Sequence, residues 1–174
     1  MVDLRNLFTR TGRKRFFGYR PQALTYLISK NKILLLRSKP YPDQPNGIWN
    51  IPQEGIDFGE DEMSGAKRGL NEELGLDQSL TKFKKSKYLG KIKFPKKLHG
   101  ERELEGALFK MKGKAYWACL LIAEEFDIKD LKLNPNEASE AKWMTISEAL
   151  EIYKTLPSDK NSMFIKGLKK LKLT

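Results

Sequence analysis

Residues 51–76 read IPQEGIDFGEDEMSGAKRGLNEELGL, and the fold turns on how this stretch is parsed. From Asp61 to Leu74 the apolar residues Met63, Ala66, Leu70 and Leu74 recur at steps of three and four. That is the period of an amphipathic helix, and Gly75 stands where a left-handed cap would stop it. Ahead of the helix, IWNIP is a short strand closed by Pro52, and PQEGIDFGE is a glycine-rich turn. Helical positions three and four apart share a face, so Glu72 and Glu73 project beside positions 69 and 65. Both of those are glycine. Glycine inside a helix costs about 1 kcal/mol relative to alanine, so two on one face imply that another backbone or a ligand comes close there.

The same stretch carries seven carboxylates (Glu54, Asp57, Glu60, Asp61, Glu62, Glu72 and Glu73) in a chain whose formal net charge is +11. Positive charge gathers elsewhere: in Arg5, Arg10, Arg13, Lys14, Arg15 and Arg20, in TKFKKSKYLGKIKFPKKLHGER, and in the C-terminal KGLKKLKLT. One such block alone is as readily a solvated face. Three around one acidic segment suit a polyanionic ligand gripped by Lys and Arg, with carboxylates holding a metal against its phosphates. A length of 174 residues at 40% hydrophobic content predicts one compact domain. The single cysteine, Cys119, excludes an internal disulfide; within AYWACLLIA it reads as a buried thiol in a reducing compartment. With no apolar run of about eighteen residues and no signal-peptide h-region, the expectation is a cytoplasmic protein without a membrane segment.

Elsewhere short strands alternate with helices. QALTYLIS and KILLLRS, joined at Lys30-Asn31, predict a hairpin, followed by the proline-rich loop KPYPDQPNG. Further strands are expected at SKYLGKIKF, LEGALFKM, KAYWACLLIA and AKWMTI, with helices at SEALEIYK and from about Lys160 onward. The order predicts an α/β architecture, a mixed sheet with helices on its faces. Trp49, Trp117 and Trp143 fall in strand-like runs and read as core. His99, the only histidine, lacks the partners a zinc site or a triad would need.

Residues 54–76 resemble the Nudix box: glycine, five residues, Glu, seven residues, Arg-Glu, an aliphatic, any residue, Glu-Glu, any residue, Gly and an aliphatic. Glu60, Arg68, Leu70, Glu72, Glu73, Gly75 and Leu76 fill seven of its nine specified positions. GYRP at 18–21, WNIPQEGI, KFPKKL, EASEAKWM and FIKGLKKL are similar to segments of the RNA pyrophosphohydrolase and diadenosine polyphosphate hydrolase branch. The likeness implies a Nudix domain over 18–174, an α/β/α sandwich with a mixed sheet, preceded by a basic arm at 1–17.

The resemblance also implies a site. Glu72 and Glu73 would hold Mg²⁺ or Mn²⁺, joined by Glu137, or by Glu140 in a slipped register. Arg68 would pair with Glu60 as a brace, and Arg37, Lys96 and Lys97 would meet phosphates. Phe164 would stack a base. Two positions depart from the box. Its leading glycine is Glu54, followed by Gly55, so Glu54 enters the expected metal set through a backbone carbonyl of that turn. The Glu expected after Arg68, a metal ligand or the base, is Gly69. Glu62, Glu101, Glu103 and Glu105 are the substitutes to consider, with Glu103 carried as the catalytic choice. Two functions follow: a metal-dependent hydrolase acting on 5′-triphosphate RNA or a dinucleoside polyphosphate, or a weakened Nudix domain that binds nucleotide or RNA without turnover.

Overall fold

The structure, a computed structural model, describes residues 10–40, 42, 44–95, 107, 110–124 and 126–174. Strands β1 (Tyr19–Ser29) and β2 (Lys32–Ser38) form the hairpin, and Lys30 and Asn31 both take positive φ, 45° and 62°, as a tight two-residue turn requires. Only Ile28↔Ile33 and Ser29↔Lys32 pair across it before the strands splay. The following chain fills the wedge between them. Strand β3 (Trp49–Asn50) pairs with β2 through Leu36↔Asn50, and β4 (Gln53–Gly55) pairs with β1 through Ala23↔Glu54.

On its other edge β1 runs parallel to β6 (Gly113–Ala123) from Tyr19↔Gly113 to Ile28↔Ile122, and β6 pairs antiparallel with β5 (Thr81–Lys93). The outer edge of β2 pairs with β7 (Ala138–Thr145). The result is a seven-stranded mixed sheet. β1 is buried along nearly its whole length, as a strand covered on both faces must be. On one face α2 (Glu62–Leu74) packs Ala66, Leu70 and Leu74 against Ala23, Leu27, Trp117 and Cys119. On the other, α3 (Ile146–Lys154) and α4 (Ser158–Leu171) pack Tyr153, Phe164, Leu168 and Leu171 against Tyr26, Leu35, Leu120 and Met144. This is the α/β/α sandwich.

Several boundaries differ from expectation. Residues 10–16, read as part of an arm, form helix α1 (Arg10–Phe16). Thr11 and Arg15, one turn apart, are buried: Thr11 Oγ1 donates to the Glu60 carbonyl at 3.0 Å, and Arg15 donates to the Ile56 carbonyl. The turn before α2 thus has two of its orphan carbonyls satisfied from α1. Of the strand expected at LEGALFKM, Ala107, Lys110 and Met111 lie outside any strand, and its other residues fall outside the described ones. Among the described residues no helix is long and apolar enough to cross a membrane.

Candidate active site

Helix α2 is fixed at both ends and braced in the middle. Asp61 caps it by accepting from the Ser64 N–H at 2.8 Å, and Gly75 closes it at φ 61°, its N–H reaching the Asn71 carbonyl at 2.8 Å. Arg68 forks onto Glu60, Nε to Oε1 at 2.9 Å and Nη2 to Oε2 at 3.0 Å, and Nη2 also donates to the Gly55 carbonyl at 2.6 Å. Glu60 Oε2 in turn accepts from the Asp57 N–H at 2.8 Å. One guanidinium therefore clamps the whole turn 55–60 to the helix, a bidentate geometry that lysine cannot supply. The paired hydrogen bonds from Arg68 hold the Glu60 carboxyl below the usual carboxylate range.

The two helix glycines now have their explanation. A Cβ at 65 would stand 3.1 Å from Ile56 Cγ1, and one at 69 would stand 2.6 Å from Glu54 Cβ. It is the strand–turn segment, not a ligand, that approaches this face.

Glu54, Glu73 and Glu137 line one cavity of about 330 Å³ together with Gln53, Asn50 and Lys160. Glu73 is 8% exposed. Burial first, then the neighbouring Glu54 and Glu137 carboxylates, push its pKa up to about 8. Glu54 is raised by burial as well, against the opposing pull of the Gly55 N–H at 2.5 Å and of Arg68. Glu137 reaches this cavity because its loop is tied to the end of α2. The Lys132 N–H donates to the Leu74 carbonyl and the Asn134 N–H to the Glu73 carbonyl, both at 2.9 Å.

A second cavity of about 460 Å³ shares Asn50, Ile51, Gln53 and Lys160 with the first. The rest of its wall is mixed: Lys93 and Lys114 are basic, Asp159 is acidic, Phe94 and Tyr116 are aromatic, and Leu24, Ile92 and Met163 are apolar. Burial, reinforced by Asp159, pushes the Tyr116 hydroxyl up to about 12, so it stays protonated and can donate a hydrogen bond at any physiological pH. A chamber lined by three carboxylates thus adjoins one lined by lysines, aromatic rings and apolar side chains, with Lys160 common to both.

Residues 18–164 match the family model of the NUDIX domain. The chain belongs to the Nudix family. Nudix hydrolase 25 of Arabidopsis thaliana is 30% identical over 77% of each chain. An RNA pyrophosphohydrolase of Erythrobacter litoralis is 27% identical over 73% of this chain and 77% of its own length. The fold is shared with a C. elegans Ap4A hydrolase at a TM-score of 0.56 and 20% identity, over 88% of this chain and 98% of that one. By membership this chain is a hydrolase of phosphoanhydride bonds.

Nudix hydrolases generally use divalent metal ions, and the site fits one by the chemistry of its donors. Its side-chain donors are hard oxygens, the carboxylates of Glu54, Glu73 and Glu137 with the amides of Asn50 and Gln53 on one cavity wall, and a divalent ion would offset both the burial and the mutual repulsion that raise the Glu73 pKa. The carboxylates share a wall and not a point. Among the described residues no three His, Cys, Asp or Glu side chains stand at metal-holding spacing. Like charges spread, and Glu72 is drawn aside by Arg68 Nη1 at 3.0 Å.

The Nudix structure corrects several sequence assignments. Glu72 and Glu73 do not face the same way: adjacent helical residues are about 100° apart, so Glu73 turns into the cavity while the Glu72 side chain is 49% exposed beside Arg68. Phe164 borders the second cavity but has almost no surface to offer a base. It is 1% exposed, its ring parallel to Tyr153 at 3.7 Å between centroids and to Tyr26 at 5.7 Å, because α4 lays it on the sheet. Arg37 lines neither cavity. Its β2 position faces Glu140 on β7, and its guanidinium goes to Glu140 at 3.4 Å and the Asn46 carbonyl at 2.6 Å. That pairing also removes Glu140 as the alternative to Glu137. Glu62 accepts from Ser86 Oγ at 2.6 Å and lines neither cavity. Arg68 makes its contacts to the turn and to Glu72, which is a positioning role. Lys96, Lys97, Glu101, Glu103 and Glu105 lie outside the described residues. Sequence reasoning missed Lys160, Lys114 and Tyr116; the one available signal was that the basic blocks at 82–97 and 160–172 had to meet somewhere.

Proposed function

We propose that the protein removes pyrophosphate from the 5′ end of triphosphate RNA, with dinucleoside polyphosphates as a second substrate class. The observation that carries this reading is the adjoining pair of cavities, lined by carboxylates where phosphate would be cleaved and by lysines, aromatic rings and apolar side chains where the nucleotide would sit. Glu54, Glu73 and Glu137 would hold a Mg²⁺ or Mn²⁺ ion, which would neutralise phosphate charge and lower the pKa of water. Lys160, shared by both cavities, stands where it can neutralise the phosphate chain as it passes from one to the other, and Lys93 and Lys114 extend that positive wall. Tyr116 and Phe94 present an aromatic surface for the nucleoside; a stacked base gains about 1–3 kcal/mol. Arg68 keeps the Glu54 turn pressed onto α2, so the carboxylates are set before substrate arrives.

RNA is favoured over a dinucleotide by the edge of the sheet. Lys82, Lys84, Lys87, Lys91 and Lys93 are exposed along β5, a path of about 35 Å at roughly 3.3 Å per residue that ends at the second cavity. A dinucleotide cannot use such a length of charge, whereas an RNA chain can. The relative from Erythrobacter litoralis is named as an RNA pyrophosphohydrolase, and the C. elegans structure as an Ap4A hydrolase, in keeping with the first and second substrate classes. A cytoplasmic setting accords with the lone, fully buried Cys119.

The test is turnover of 5′-triphosphate RNA, diadenosine tetraphosphate and nucleoside triphosphates, each with Mg²⁺ and with Mn²⁺. RNA should give the highest kcat/KM. Glu73→Gln should lower kcat by about 10²-fold or more with an unchanged melting temperature in metal, and Lys160→Ala should act mainly on KM. Tight binding of every substrate with turnover of none would instead support the binding-module reading.

A further inference from the structure

Glu54 and Gly69 occupy one space. Strand β4 pairs with β1 through Ala23↔Glu54, and this register lays the Glu54 side chain across α2 at position 69. A Cβ there would meet Glu54 Cβ at 2.6 Å and Cγ at 3.1 Å. The colliding atoms are the base of the side chain, which follows the strand backbone and cannot swing clear as a side-chain tip can. The Glu54 side chain is 22% exposed, and its carboxylate, held by the Gly55 N–H at 2.5 Å and Arg68 at 3.8 Å, lines the cavity of Glu73 and Glu137.

In the box that this stretch resembles, the same two positions are filled the other way round, glycine at 54 and glutamate at 69. We propose that the two departures are one change: a carboxylate has moved from the helix to the strand, and Glu54 supplies to the metal-binding cavity the side chain that residue 69 lacks. The inference rests on the hydrolase reading above. Positions 54 and 69 adjoin across β4 and α2, so a carboxylate from either could serve the same cavity, and one from 54 reaches it only over a glycine. Gly69 is then no missing ligand, and restoring Glu at 69 alone would drive its side chain into Glu54.

The experiment compares wild type, Glu54→Gly, Gly69→Glu and the double exchange, with Glu54→Gln and Gly69→Ala as controls. Two readouts need no substrate: melting temperature without metal, and Mn²⁺ affinity by calorimetry. Gly69→Glu and Gly69→Ala should each lower the melting temperature in the wild-type background and lose that effect when Glu54 is glycine. Glu54→Gln should keep the melting temperature and weaken Mn²⁺ binding by about tenfold or more, the low end for altering a metal site. The double exchange should recover Mn²⁺ affinity and turnover together. If Gly69→Glu does not fold, Gly69→Ala with and without Glu54→Gly still reads the same steric coupling. The inference is overturned if the single effects on melting temperature simply add in the double variant, or if Glu54→Gln leaves Mn²⁺ affinity unchanged. Neither result depends on which phosphoanhydride is cleaved, so an error in substrate assignment stays distinguishable.

Discussion

Glu73 shows how a single buried residue links the site to stability. In the unfolded chain its carboxyl ionises near the ordinary 4.5, whereas in the folded, metal-free protein burial and the carboxylates of Glu54 and Glu137 push it up to about 8. Between those values the folded state binds more protons than the unfolded one, so stability is full at the acid end and falls as pH rises toward 8. At roughly 1.4 kcal/mol per pKa unit the loss is of the order of a few kcal/mol. Glu60 acts with the opposite sign. Its carboxyl is held low by Arg68, and its contribution is present above the unfolded pKa and lost as pH falls through the folded one. Melting curves of metal-free protein from about pH 5 to about pH 8 should therefore decline for wild type and decline less for Glu73→Gln. Parallel curves would remove the charge from Glu73.

At the scale of elements, the position of α4 decides where Lys160 stands. Helix α4 approaches β1 closely because residue 167 is glycine: a Cβ there would run into the Tyr26 hydroxyl, which donates to the Phe164 carbonyl at 2.9 Å. The Tyr153–Phe164–Tyr26 stack then seats the first half of the helix on the sheet. Gly167→Ala should force α4 outward, costing about 1–3 kcal/mol as overpacked core substitutions do. Expected outcomes are a melting temperature lower by roughly 3–10 °C for a chain of this size and a rise in KM larger than the change in kcat, since Lys160 moves while Glu73 does not. Calorimetry and steady-state kinetics on the one variant check both. An unchanged KM would show that Lys160 does not hold substrate.

Over the whole molecule, one acidic cavity and one lysine-bearing edge strand stand apart. The acidic chamber lies in the wedge between β1 and β2, and the lysines of β5 lie along the far edge of the sheet. Lysines on an edge strand also discourage pairing with another sheet, a second role for the same side chains. Salt dependence separates the two roles. Each phosphate contact with single-stranded RNA contributes about 0.7 to the slope of log affinity against log salt. Replacing Lys82, Lys84 and Lys87 by Gln should reduce that slope by roughly two, with little effect on hydrolysis of diadenosine tetraphosphate. An unchanged slope with new self-association would assign these lysines to edge protection.

What the sequence determined by itself was local. The extent of α2, its Gly75 stop and the Lys30-Asn31 turn follow from i, i+3 and i+4 spacing and from the residues that tolerate positive φ, whereas the Arg68–Glu60 brace was implied only by the resemblance to the Nudix box. Which residues line the acidic cavity was decided by tertiary structure, because it depends on which distant strands pair and in what register. The splayed hairpin admits β3 and β4, and the Ala23↔Glu54 register aims Glu54 over Gly69. The tether of residues 132–134 to the end of α2 selects Glu137, while the Arg37↔Glu140 register occupies the rival carboxylate. Helical phase shows that Glu72 and Glu73 diverge, but only the burial of one face shows which of them enters the cavity and has its acidity altered. Phe164 is core for the same reason: an amphipathic pattern marks a face of a helix, and the sheet packed against that face decides whether it meets protein or ligand.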